Sequence, residues 1–161
     1  MATKMRLALA ATVAVTAVVS GAAGNPFAGV RTVAAQAACG VGLFIPGTGG
    51  MDFLIGGPNN DLITGEANDD QLYGGPCDDT ILAGAGDDQA YGGDGDDMIQ
   101  GGDDDDLLYG QEGNDVVRGG EGNDHVWGGP GNDQLYGGPG FDICTSGGGA
   151  VLYDASCEIQ N

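Results

Sequence analysis

The sequence predicts an all-β protein, a solenoid of short parallel strands in which two nine-residue units make one coil. Three observations predict it. Aspartate recurs every nine residues, eleven times without a slip, at Asp52, Asp61, Asp70, Asp79, Asp88, Asp97, Asp106, Asp115, Asp124, Asp133 and Asp142. A glycine-rich turn precedes each aspartate and an apolar side chain follows two residues after it. Finally, four aromatic residues, Tyr73, Tyr91, Tyr109 and Trp127, recur at a spacing of 18, so alternate units stack on one another. A strict period of this kind marks a repeat fold in which each unit buries its apolar residue against its neighbours.

The chain opens with an export-type leader. Lys4 and Arg6 precede an apolar run of 13 residues, Leu7 to Val19, and small residues follow from Ser20 to Gly24. That run suits a secretory signal over residues 1–23 and is short for a membrane span; an uncleaved anchor is the competing reading. The mature protein is therefore expected to be secreted and to have no membrane span. Residues 24–46 form an N-terminal segment or cap, 47–145 the repeat array, and 146–161 a C-terminal cap.

The four cysteines, Cys39, Cys77, Cys144 and Cys157, imply two disulfides in an exported chain, with three possible connectivities. Cys144–Cys157 is preferred because it closes a short loop over the end of the array. Cys39–Cys77 then ties the N-terminal cap to the fourth unit. Lipidation of Cys39 is the alternative; Gln36 fits that motif poorly, the apolar run ends too early, and Cys77 would lose its partner.

Within a unit, position 1 is Gly except at Ala83, and glycine dominates positions 2 and 4. These glycines supply the positive φ that a tight turn needs. Proline at position 3 (Pro58, Pro76, Pro130, Pro139) also fits a turn. Positions 7 to 9 read as a very short strand. Alternation puts position 8 (Leu54 through Cys144) in the core and positions 7 and 9 outside. The aromatic column at position 9 reads first as cross-strand stacking and second as a strip for a carbohydrate or surface partner.

Acidic residues number 24 against four Lys plus Arg, for a formal charge of −20. Nucleic acid and anionic membrane surfaces are excluded as partners, because both need basic residues. A small, hard cation is the natural partner. One apolar side chain per nine residues is a thin core, and stacked aspartates repel, so the metal-free chain is expected to be largely disordered. The 18-residue coil sorts the aspartates into two ladders. Asp52, Asp70, Asp88, Asp106, Asp124 and Asp142 line one edge; Asp61, Asp79, Asp97, Asp115 and Asp133 line the other. Ions between ladder neighbours number at most nine. Removing Lys4 and Arg6 with the leader takes the charge to −22, which nine divalent ions would bring to −4. Calcium suits glycine turns because it takes six to eight oxygen ligands, including backbone carbonyls, in flexible geometry; magnesium demands a strict octahedron.

The units Gly119-Gly120-Glu121-Gly122-Asn123-Asp124-His125-Val126-Trp127 and Gly128-Gly129-Pro130-Gly131-Asn132-Asp133-Gln134-Leu135-Tyr136 closely resemble the RTX (hemolysin-type) calcium-binding nonapeptide repeat. The likeness runs from 47 to 145. It implies a right-handed parallel β-roll, calcium held by the position-6 aspartates and turn carbonyls, and calcium-triggered folding. The chain departs from that family's usual export, since its signal lies at the N-terminus.

No catalytic residue is nominated. The sequence has neither an HExxH zinc motif nor a GxSxG elbow, and the lone histidine, His125, occupies an outward position. An ice-binding solenoid is disfavoured because position 3 does not carry threonine. The leading expectation is thus a secreted, non-enzymatic calcium-binding protein. The alternative is an extracellular adhesion or matrix module using the Tyr73, Tyr91, Tyr109, Trp127 strip. An enzyme acting on acidic polysaccharide ranks below both.

Overall fold

A computed structural model of the chain describes residues 30–32 and 39–160. The signal read at 1–23 lies outside these residues. Every regular element among them is a strand. In chain order these are β1 (Val30–Thr32), β2 (Val41–Thr48), β3 (Phe53–Ile55), β4 (Asn60–Ala67), β5 (Gln71–Pro76), β6 (Thr80–Ala85), β7 (Gln89–Asp94), β8 (Met98–Asp103), β9 (Leu107–Glu112), β10 (Val116–Glu121), β11 (His125–Trp127), β12 (Gln134–Tyr136), β13 (Asp142–Thr145), β14 (Leu152–Tyr153) and β15 (Cys157–Gln160).

Successive strands alternate between two parallel sheets. The odd-numbered strands build one and the even-numbered strands the other. Within the array each residue pairs with its copy 18 positions away: Leu54 with Leu72, Tyr91 with Tyr109, Ile81 with Ile99. The 18-residue coil is therefore the structural unit, and the architecture is a parallel β-roll. β1 and β2 continue the two sheets ahead of the array, as β14 and β15 do behind it.

The core is built from two columns of position-8 side chains, one from each sheet, joined by Ile45, Ala83 and Cys157. All eleven, from Leu54 to Cys144, are completely buried. Positions 7 and 9 face outward, as alternation requires; Leu62, Leu82 and Met98 on the even sheet are substantially exposed.

Two expectations about the backbone are corrected. The strands at positions 7 to 9 are not uniformly three residues long. From β5 to β10 they run six residues, and pairing continues through positions 2 and 3 of the next unit, as in Gly75 with Gly93 and Pro76 with Asp94. Because successive coils repeat the same bends, even curved backbone meets its copy one coil on. Pro130 and Pro139 take part as acceptors, receiving the N–H groups of Gly113 and Gly122. The second correction concerns glycine. Positive φ occurs at positions 2 and 4, for example 141° at Gly102 and 140° at Gly122, but the position-1 glycines are not among the positive-φ residues. Their requirement is spatial, as the aspartate ladders show.

Both preferred disulfides are present. Cys39–Cys77 and Cys144–Cys157 bring their Cα atoms to 5.7 and 5.6 Å. With Cys39 in a disulfide, no thiol is left there for a lipid.

The packing predicts a sharp difference between columns. Ile99→Ala is expected to destabilise the roll by about 2–5 kcal/mol, the cost of a cavity in a thin, fully buried core. Gln71→Ala, on the exposed column, should change stability by less than about 0.5 kcal/mol. Denaturant unfolding of the two variants checks the contrast.

Candidate metal centre

Each position-6 aspartate ends the turn just before an outward position-7 residue, so its side chain points inward. All eleven are buried, from Asp52 at 6 % exposure to Asp115, Asp124 and Asp142 at 0 %. The structure thus brings the predicted site residues together as two interior ladders. In each, the backbone N–H of one aspartate donates to Oδ1 of the aspartate one coil later. Asp52 donates to Asp70, Asp61 to Asp79, Asp88 to Asp106 and Asp124 to Asp142, at 2.7 to 3.0 Å. At the N-terminal end of the second ladder the Leu43 N–H supplies the same bond to Asp61.

The second carboxylate oxygen is where the aspartates divide. In Asp70, Asp79, Asp88, Asp97, Asp106, Asp115, Asp124, Asp133 and Asp142, Oδ2 is buried and has no hydrogen-bond partner. An unpaired buried carboxylate oxygen carries a large desolvation cost. Asp52 and Asp61 differ. Thr48 closes on Asp52 Oδ2 through both its N–H (2.6 Å) and its hydroxyl (2.9 Å), and the Gly57 N–H donates to Asp61 Oδ2 at 2.5 Å. The sequence pattern treats all eleven as equivalent; Thr48, at position 2 of the first unit, was the available signal for Asp52, and Gly57 gave none for Asp61.

The position-1 glycines leave room for these oxygens. A Cβ at Gly119 would lie 2.1 Å from Asp124 Oδ2 and 2.5 Å from the Gly137 carbonyl of the next coil. The exception, Ala83, is fully buried in a unit that carries the smallest core side chain of the array, Ala90.

Electrostatics follow from the geometry. Burial is the main cause that pushes the carboxyls up, to about 8 at Asp97 and Asp106, about 7 at Asp79 and Asp88, and about 6 at Asp70, Asp115 and Asp124. The N–H each accepts from its ladder neighbour pulls the other way, and neighbouring aspartates push up further. Asp133 and Asp142 are raised for the same leading reason. The interior therefore favours a neutralised carboxyl, and either a proton or a cation can neutralise it.

The donor set fits a hard divalent cation. It offers anionic oxygens without protein partners, in a setting lined by glycine backbone. Among the described residues no group of three or more His, Cys, Asp or Glu side chains forms a metal cluster. Backbone carbonyls of the turns are further oxygen donors beside the carboxylates, of a kind that calcium accepts.

Two further ladders run along the outside. Position 5 is Asn or Asp from Asn60 to Asn132, and it bonds in the opposite sense, with the later N–H donating to the earlier side chain. Asp96 donates to Asp78, Asn114 to Asp96 and Asn123 to Asp105. This role went unread in the sequence although the signal was present. The Tyr73, Tyr91, Tyr109 and Trp127 rings stack with centroids 4.7, 4.9 and 4.6 Å apart and planes within 6° of parallel. Those separations equal the strand spacing, so the rings cover one another's faces along the column. His125 leans on Trp127 at 5.4 Å.

Fold and site together define a class, the parallel β-roll with inward carboxylate ladders. The family model described as the RTX calcium-binding nonapeptide repeat (4 copies) matches residues 46–76, 78–108 and 109–144. The chain belongs to that family. No curated protein and no solved structure matches it.

Two outcomes follow for the ladders. Folded carboxyls with raised pKa values bind protons more tightly than unfolded ones. Their stabilisation is complete below about pH 4 and is lost as pH rises through 6 to 8. In chelator, β-type circular dichroism should therefore grow as pH falls from 8 to 5. Separately, Gly119→Ala should cost the roll about 1–3 kcal/mol by overpacking Asp124 and Gly137, read by thermal unfolding in calcium.

Proposed function

We propose that this protein is an exported, non-catalytic calcium-binding module in which uptake of Ca²⁺ between successive coils and folding of the roll are one event. The observation that carries this reading is the buried, unpartnered Oδ2 repeated on nine consecutive aspartates. Each of these residues uses Oδ1 to fix the register of the preceding coil and keeps Oδ2 as an anionic donor. The turn carbonyls complete the oxygen set, and the position-1 glycines keep the approach open. Bound Ca²⁺ supplies the positive charge that the interior lacks. Intervals between ladder aspartates accommodate up to nine ions.

Export is supported by the Lys4–Arg6 start, the Leu7–Val19 run and the two disulfides, which belong to an oxidising compartment. Calcium is plentiful outside the cell, so folding would follow export. The aromatic column serves the roll by stacking; with its inner ring faces covered, a sugar would meet mainly ring edges.

The test is circular dichroism combined with calcium calorimetry on the same sample. Chelator should abolish the β-type spectrum at neutral pH and calcium should restore it, with several ions taken up per chain. A spectrum indifferent to calcium overturns the reading.

A further inference from the structure

The ladder that begins at Asp52 does not stop at its last aspartate. The Asp142 N–H donates to Oε2 of Glu158 at 2.5 Å. This is the bond that each earlier rung makes to the aspartate one coil on, as Asp106 does to Asp124 and Asp124 to Asp142. By period the next rung would be residue 160, a glutamine. Glu158 takes the role through an irregularity in the pairing of β13 with β15. Asp142 pairs with Cys157 and Ile143 pairs with Ile159, so Glu158 is the extra residue between them. A β-bulge re-aims a side chain in this way, and the longer glutamate spans the offset. Its neighbour Cys157 is bonded to Cys144, the last position-8 residue of the core, which holds the segment in place.

The other ladder ends offer no such carboxylate. Asp52 is closed by the Thr48 hydroxyl and amide, and Asp61 by the Gly57 amide. One coil beyond Asp133 stands Val151. At Asp142, by contrast, a fully buried carboxylate keeps an unpartnered Oδ2, and its own N–H is held by the Glu158 carboxylate.

We propose that Glu158, outside the repeat array, is a metal ligand that forms with Asp142 a terminal calcium site beyond the nine intervals between aspartates. The proposal rests on the calcium reading above. Glutamate here supplies what the repeat can no longer supply, an anionic oxygen one coil beyond the final aspartate.

Calorimetric titration of the full chain with calcium chloride, wild type against Glu158→Gln, tests it. Glutamine retains an oxygen to accept the Asp142 N–H, so the cap bond survives while the charge is removed. The variant is expected to bind one ion fewer and to keep the calcium-induced β spectrum. An unchanged ion count overturns the proposal and leaves the calcium reading standing, whereas a wild type that takes up no calcium overturns that reading itself. If Glu158→Gln does not fold, a second measurement decides. Glu66, Glu112 and Glu121 are exposed, as Glu158 is; replacing these three with glutamine leaves Glu158 as the sole glutamate. With carbon-13 glutamate in that variant, the carboxylate infrared band should shift on calcium addition, and an unmoved band overturns the proposal.

Discussion

The interaction on which this structure depends is the bond from each aspartate N–H to Oδ1 of the aspartate one coil on, with Oδ2 left buried and unpaired on nine of the rungs. It sets register, because the carboxylate of one coil must lie opposite the amide of the coil before it. The same bond creates the electrostatic problem of the fold. The interior holds eleven aspartates beside eleven position-8 side chains, one carboxyl for each position-8 residue of the array. Such an interior is stable only with its charge neutralised. The demand for a proton or a cation at the unpaired oxygens is thus a consequence of where the aspartates point.

Glycine takes its place from the same constraint. Positions 2 and 4 need positive φ to bring the chain round, and Glu66, Asn68, Cys77, Asp104 and Gln111 adopt it there without glycine. Position 1 has ordinary φ and, except at Ala83, no room for a side chain between an aspartate oxygen and the next carbonyl. Two different physical demands therefore produce what looks in sequence like one glycine-rich turn.

Stacking of like on like operates at each surface. The aromatic column, the position-5 side chains and the core columns each meet their copies one coil away, and each contributes a small cross-coil contact repeated along the roll. The ends break the repetition. A threonine and a glycine amide close the N-terminal rungs, while a disulfide and a bulged glutamate finish the C-terminal one.

Much of this was legible in the residues themselves. The nine-residue aspartate period announced a solenoid, the 18-residue aromatic period announced two units per coil, and alternation singled out position 8. These readings succeed because a repeat meets only its own copies, so periodicity in sequence becomes neighbourhood in space. The disulfide pairing was readable for a related reason, since ends need fastening. What the sequence alone determined, then, is the coil, its core and its kinship with the calcium-binding repeats. Tertiary structure decided how each carboxylate spends its two oxygens. It separated Asp52 and Asp61 from the other nine, assigned position-1 glycine to clearance instead of turning, lengthened the middle strands, and brought Glu158 to the ladder's end. These outcomes depend on atom-to-atom distances between coils and on a one-residue bulge, and a periodic pattern carries no information about either.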